Sequence, residues 1–550
     1  MITDELAELV RSALEAASAD EIIDSASQEI NFERPRNRDH GDWSTNVALA
    51  AGRGRGNPRA IAEAISSRLP SSDLLQKVEV AGPGFLNFYL SPVWLHDVVR
   101  RAFDPGSGFG RAPDKSGTHV NVEYVSANPT GPINVVSGRH AAVGDAIANL
   151  LEARGHTVTR EFYVNDAGRQ VDLFAESVAV RYLQHFGHEA ELPEDGYQGD
   201  YISELAKEIA QEIGDSLVEA RGRDRLERIR GLALDRMLTG MRLSLERFGT
   251  RHDVWFSEKT LHDSGAVGKV VARLEEAGLV DERDGAKWLR TSALGDDKDR
   301  VLIRASGEPT YLAGDLPYLQ DKFSRGHEHL IYLWGADHHG TIARLLAGAE
   351  ALGYARDAVE IRLVQIVTLL TGGESVKASK RAGRIVPLDD LVDEVGADAA
   401  RYIFLTRSFE SPIDFDIDLA KEQAPENPVY YVQYAHARIC SILRRAEEAG
   451  ESIDAEAPLD ALAHPSEDAL MRKLASFEEV VPDAADMRAP QKITRYIEEL
   501  ASVFSSFYRD CKVISDDPSL TRARLVLCVA AKNVIANGLS LLGVRAPERM

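Results

Sequence analysis

The stretch His119-Val-Asn-Val-Glu-Tyr-Val125, running into Ser126-Ala-Asn-Pro-Thr-Gly-Pro-Ile133, decides the fold class. Its first seven residues read as a buried strand and the next eight as a turn. Arg139–Glu152 is then a run of good helix formers closed by Gly155, and Thr157–Val164 reads as a second strand. Strand, helix and strand in that order make a βαβ unit, the start of a parallel α/β sheet. Downstream, a mostly charged helical stretch of about 185–285 reads as an insertion. Sheet-like segments then resume at Arg300–Arg304, His329–Trp334 and Glu360–Leu370. From Leu391 the pattern is helical to the end. Upstream, a helix at Ile2–Ala17, a helix at Ile61–Leu69 and two strands around Gly82-Pro-Gly84 read as a small α+β domain. The Gly/Pro-rich Asp104–Pro113 ends it. The expected domains are 1–112, 113–390 and 391–550.

The chain has 550 residues, 44% hydrophobic and 27% charged, which excludes a disordered or fibrous protein. No apolar run reads as a membrane span, and the acidic N-terminus reads as an amphipathic helix rather than a secretory signal. Cys440, Cys511 and Cys528 lack metal spacing and read as buried thiols of a cytoplasmic protein. The net charge of −23 argues against non-specific coating of nucleic acid, though not against local basic surfaces. Lysines number only 15 of the 64 basic residues, so a close pair of them stands out.

Ligands of open parallel sheets bind at the carboxyl ends of the strands. Three polar clusters are expected there. The first is Glu123–Pro132 with Asn134-Val-Val-Ser137, where short hydrogen-bonding groups precede a helix N-terminus suited to an anion; a capped turn holding nothing is the alternative. The second joins Tyr311 and Asp315, which share a face if the segment is helical, to Gly335-Ala-Asp-His-His-Gly340. Adjacent histidines point apart and no paired-ligand spacing is present, so no protein metal site is expected. The third is Val376-Lys-Ala-Ser-Lys-Arg381, a basic loop suited to gripping phosphates, or a solvated one. There is no P-loop and no GxGxxG, so a nucleotide must be held some other way.

These clusters, in this order, resemble the arginyl-tRNA synthetase family of class I aminoacyl-tRNA synthetases. Ser126–Pro132, Phe162–Gln170, Gly335–Gly340, Lys377-Ala-Ser-Lys380 and Asn427–Arg438 each resemble a family motif. The resemblance implies a Rossmann-type catalytic domain with an insertion, an N-terminal domain touching the tRNA elbow and a C-terminal all-α anticodon-binding bundle. It implies an ATP-dependent ligase that forms arginyl-adenylate and charges tRNA(Arg), with Mg²⁺ accompanying ATP, as a monomer. By the same resemblance, Glu123, Ser126, Asn128, Tyr311 and Asp315 would bind arginine. Pro129, Thr130, Gly131, Asn134, Ser137, Gly335, Asp337, His338, Lys377, Ser379 and Lys380 would bind ATP, with Asn134, Ser137, Lys377 and Lys380 acting in catalysis. Phe85, Asn87, Tyr430 and Tyr434 would contact tRNA, although Phe85 and the two tyrosines could equally be packed residues.

One departure stands out. The family's first ATP motif is His-x-Gly-His, and this chain has Asn134-Val-Val-Ser137. Losing one donor to a transition-state charge can cost ~3–4 kcal/mol. Asn134 and Ser137 retain donors, whereas Val136 puts a side chain where ATP would approach. The chain is therefore either a working variant or a paralogue that binds tRNA or arginine without catalysis. An adenylate-forming ligase that works without tRNA is a third possibility.

Overall fold

The computed structural model describes residues 2–24, 28–35, 37–52, 57–104, 106, 108–375 and 386–550. The lysine loop read from the sequence, with Lys377, Ser379 and Lys380, lies outside them. The chain divides into two compact units.

The larger unit takes residues 111–437, 481–501 and 535–550. Its centre is β1 (His119–Glu123), followed by helix α1 (Val135–Ala153) and β2 (Thr157–Val164). Further along come β3 (Val254–Ser257), helix α2 (Tyr311–Ser324), β4 (His329–Gly335) and β5 (Val359–Val364). These five strands form one sheet in the order β5-β4-β1-β2-β3, with every neighbouring pair parallel. Residues 120–123 of β1 are all buried, as a strand covered on both faces must be. Helix α1 has buried residues along its whole length, including Ala141, Ala142, Ala146 and Ala148. It closes at Gly155, whose φ of +87° favours a residue without Cβ. The strand order reverses between β1 and β4, so the sheet's crevice lies at the carboxyl ends of those two strands.

Three long-range features differ from the sequence reading. Val254–Ser257 lies in the supposed insertion but is the edge strand of the main sheet, because four half-buried residues carry too short a pattern to signal it. The insertion that does stand apart is three helices, Arg169–His185, Asp200–Ile213 and Gly222–Arg247, with their own core around Phe174, Tyr182, Ile209 and Ile229. Arg300–Ile303 pairs in a separate antiparallel sheet with Val280–Arg283 and Ala286–Leu289. The run Glu360–Leu370 is two strands: β5, and β6 (Val367–Thr371), which pairs in parallel with β7 (Ile413–Asp416). That last strand interrupts the region read as helical throughout.

The smaller unit takes residues 1–110, 438–480 and 502–534. Its four-stranded antiparallel sheet runs in the order Phe32–Glu33, Trp43–Thr45, Phe85–Leu90, Leu75–Ala81. Leu86, Phe88 and Leu90 face its core, so Phe85, Asn87 and Tyr89 share the opposite face. The turn between the last two strands needs its glycines: Gly84 has φ +144°, and a Cβ there would lie 2.9 Å from the Pro58 carbonyl oxygen. The C-terminal helices complete this unit; Asn533 Nδ2, for example, donates to the Phe103 carbonyl at 2.7 Å. The helix Pro518–Leu541 is long and apolar enough to cross a membrane by composition, with 67% of its apolar window buried inside the protein. All three cysteines are buried.

Candidate active site

The carboxyl end of β1 delivers Glu123 into the crevice, where it is 5% exposed. Its Oε2 accepts from Lys322 Nζ at 2.5 Å and its Oε1 from Ser126 Oγ at 3.0 Å. Lys322, on α2, is wholly buried, its ammonium 3.9 Å from the centre of the Tyr332 ring and 4.4 Å from that of Tyr318. A buried carboxylate is thus paired with a buried cation. Behind this pair, Glu161 on β2 accepts from Arg325 through both terminal nitrogens, and from Tyr318 Oη and Asn121 Nδ2, all at 2.8 Å.

The chain leaves β1 through a strained turn. Val125 and Ser126 have φ of +71° and +41°, a region costly for a β-branched residue. The strain turns Ser126 back, so that its Oγ also accepts from the Tyr163 amide at 3.1 Å. Next, Thr130 is buried, its carbonyl accepting from Tyr201 Oη at 2.8 Å, and Asn128 is exposed with its Nδ2 donating to Gln170 at 2.8 Å. Asn134 caps α1: its Oδ1 accepts from the Ser137 amide at 2.9 Å. Val136 is 41% exposed on the first turn, while Val135 is buried.

Tyr311 opens α2 and is 88% exposed, with Asp315 one turn on and partly buried. Burial first, then Glu123 and Glu258, push the Asp315 carboxyl up to about 7, against the pull of Arg344. Glu258 follows β3; burial raises its carboxyl too, while His262 and a hydrogen bond with Tyr163 oppose the rise. Glu123, Glu258 and Asp315 therefore converge from the ends of two strands and one helix. Glu123 is paired with a buried lysine, whereas Asp315 and Glu258 face as cations only the more distant Arg344 and the His262 imidazole, and burial raises both carboxyls, so an incoming cation would favour their ionised forms. A planar guanidinium, with its fork of donors, is the group such a pair suits best.

Across the switch point, β4 ends at Gly335, where a Cβ would lie 2.5 Å from Asp337 Oδ1. The turn Ala336–Thr341 leaves Asp337, His338 and His339 exposed. His140 of α1 lies buried below; burial pushes its imidazole down to about 4, and its Nδ1 has no hydrogen-bond partner among the described residues. Among the described residues, no three His, Cys, Asp or Glu side chains are grouped to hold a metal.

Family profiles cover nearly all of the chain. One described as an arginyl-tRNA synthetase N-terminal domain matches residues 4–90, and one described as a class I (R) tRNA synthetase catalytic domain matches 110–407. A DALR anticodon-binding domain matches 432–550. The arginine–tRNA ligase of Moorella thermoacetica is 46% identical over 99% of this chain and 98% of its own length. That of Bacillus licheniformis is 44% identical over 99% and 98%. The chain belongs to the arginyl-tRNA synthetase family. The solved arginyl-tRNA synthetase of Thermus thermophilus shares the fold, with a TM-score of 0.77 and full coverage of both chains at 24% identity.

Measured against the residues that the synthetase resemblance singled out, the structure brings Glu123, Ser126 and Asp315 together at the crevice. Tyr311 stands at its rim. Asn128, Pro129, Thr130, Gly131, Asn134 and Ser137 follow one another along the strained turn and the start of α1, and Gly335, Asp337 and His338 face them from the end of β4. Lys322, Glu258 and Arg344 escaped the sequence reading. A lysine within a helix carries no local mark of a carboxylate partner 199 positions away. Two further candidates lie in α3 (Pro428–Glu448): the Tyr430 and Tyr434 rings stack 5.8 Å apart at 10°, with Tyr434 39% exposed. In the smaller unit, Phe85 is partly buried, and Asn87 is 5% exposed with its Oδ1 accepting from Ser44 Oγ at 2.8 Å.

Proposed function

We propose that this chain is an active arginine–tRNA ligase: it activates L-arginine with ATP·Mg²⁺ to arginyl-adenylate, releases pyrophosphate, and transfers arginine to the 2′-OH of the terminal adenosine of tRNA(Arg). The convergence of Asp315 and Glu258 beside the neutralised Glu123 is the observation that carries this reading, because it builds a guanidinium site at the switch point of the sheet. Asp315 and Tyr311 hold the substrate guanidinium, and Ser126 and Asn128 line the amino-acid end. The arginine carboxylate attacks the α-phosphate in line, and the protein contributes position and charge stabilisation. Asn134 Oδ1 is engaged by the Ser137 amide and Val135 N donates to Val386 O, so the Asn134 Nδ2 and the Ser137 hydroxyl, at the N-terminal end of α1, remain for phosphate. Pro129, Thr130 and Gly131 shape that side. Gly335, Asp337 and His338 line the adenosine, and Lys377, Ser379 and Lys380 close over pyrophosphate.

Residues 1–112, 113–390 and 391–550 serve as elbow-binding, catalytic and anticodon-binding domains of a cytoplasmic monomer. The face bearing Phe85 and Asn87, and the Tyr430–Tyr434 stack, are the tRNA contacts; unpaired bases offer π-faces to such rings. Arginylation of total tRNA by the purified protein tests the reading, with ATP–pyrophosphate exchange measured with and without tRNA. Failure to charge with tRNA present overturns it. N134H/S137H separates an adapted site from a decayed one: a large gain from near zero marks decay, and little change or a loss marks adaptation.

A further inference from the structure

The segment of residues 163–170, which leaves β2, is tied at its ends to the turn after β1. Tyr163 donates its amide to Ser126 Oγ at 3.1 Å, and Gln170 accepts from Asn128 Nδ2 at 2.8 Å. Its middle is tied to the exit of β3, where Glu258 is the first residue beyond the strand. The Glu258 amide donates to Val164 O at 3.0 Å, continuing the pairing of Val164 with Ser257. The Asp166 carboxylate then takes both chain neighbours of Glu258. Its Oδ2 accepts from Ser257 Oγ at 2.6 Å and its Oδ1 from the Lys259 amide at 3.0 Å. Asp166 is itself held: its amide donates to Val164 O at 3.0 Å, and its carbonyl accepts from Arg230 Nη2 at 3.2 Å. In the orientation its neighbours dictate, Asn165 Nδ2 donates to Glu258 Oε2 at 2.9 Å and to the Ala167 carbonyl at 3.1 Å.

Residues 164–166 thus fix the backbone of Glu258, both of its neighbours and one of its carboxylate oxygens. Holding a glutamate in one rotamer costs conformational entropy, and a glutamate that merely ends a strand gains nothing from it. One that must meet a ligand does gain, because the ordering is complete before the ligand arrives. An amide at position 165 supplies a donor without adding a repelling charge. Burial raises the Glu258 carboxyl, and a donor on its oxygen favours the ionised form that a guanidinium needs.

We propose that Asn165 and Asp166 are positioning residues for arginine recognition. Asp166 fixes the chain on either side of Glu258 and Asn165 fixes its carboxylate, so that it meets the substrate guanidinium together with Asp315. Both act through Glu258 and touch no substrate. The inference rests on the reading of Asp315 and Glu258 as the guanidinium site.

The test is L-arginine binding by titration calorimetry for the wild type, E258Q, N165A, D166A, D166N and N165A/E258Q, with ATP binding and a thermal melt of each. E258Q is expected to weaken arginine by roughly 10–100-fold, the loss of a charge-assisted hydrogen bond. N165A and D166A are each expected to weaken it by roughly tenfold, with Kd for ATP within about threefold of wild type. D166N still accepts from the Lys259 amide and can donate to Ser257 Oγ, so its arginine Kd is expected to stay within about threefold. N165A/E258Q is expected to bind about as poorly as E258Q, because Asn165 acts through Glu258 alone. Wild-type arginine binding in N165A and D166A, losses that multiply in the double variant, or arginine and ATP weakened equally would overturn the inference and leave the guanidinium reading standing. An unaffected E258Q, or a wild type that binds no arginine, overturns that reading and the inference with it. Should D166A fail to fold, S257A removes one tie with Asp166 intact. It is expected to weaken arginine and not ATP; a silent S257A refutes the role of Asp166.

Discussion

Asp315 shows how one residue can couple chemistry to pH. Its carboxyl, ordinarily near ~3.9, is pushed up to about 7 by burial and by Glu123 and Glu258. A guanidinium favours the ionised form, so binding arginine below pH 7 must expel a proton. KM for arginine is therefore expected to rise as pH falls from 7 toward 5, by up to ~tenfold per unit. D315N should raise KM at pH 8 and flatten the profile; an unchanged slope would refute the assignment. The position of Asp315, one turn after Tyr311, was legible in the sequence, but its pKa was not, because Glu258 comes from another strand end. Lys322 presents the complementary case. K322M should destabilise the protein by ~3–5 kcal/mol by stranding Glu123, and K322M/E123Q should recover most of that, as read by urea denaturation. A K322M variant as stable as wild type would show the ion pair to be dispensable.

At the scale of the element, α1 carries much of the site and was only half legible. Its good formers announced the helix from Arg139, but the cap at Asn134 adds a turn beyond it. The residue that decides its depth is Gly144, where an ideal Cβ would lie 2.2 Å from Cγ of the buried Tyr124. Intrinsic propensity favours G144A by ~1 kcal/mol. Overpacking against the ring opposes it by ~1–3 kcal/mol and should win, lowering Tm. A G144A variant that melts higher than wild type would show that the helix can shift without strain. No local pattern separates this glycine from one that merely interrupts a helix, since its partner Tyr124 lies just past the end of β1.

Across the larger unit, three histidines are folded in as neutral groups: His140 and His327 pushed down to about 4 and His252 to about 3, each mainly by burial. Unfolded, they titrate near ~6.5. Their contribution to stability is complete above that pH and is lost as pH falls through 6.5 toward 4, by up to ~1.4 kcal/mol per unit for each. Tm is expected to drop between pH 7 and pH 5, and H252F to lessen the drop; a flat Tm profile in the wild type would contradict it. Charge balance and hydropathy of the whole chain foretold none of this. What the sequence determined by itself was local: the βαβ unit from 119 to 164, the turn chemistry at 126–133, the Tyr311–Asp315 spacing and the order of the family motifs. Each depends on neighbours within a few residues, which periodicity and turn residues record. Only the tertiary structure decided that Val254–Ser257 joins the main sheet, that Arg300–Ile303 does not, that Lys322 neutralises Glu123, and that Asp166 holds both chain neighbours of Glu258. Those outcomes depend on which surfaces meet once the layers pack, and a strand's partner or a buried charge's counter-group leaves no periodic trace along the chain.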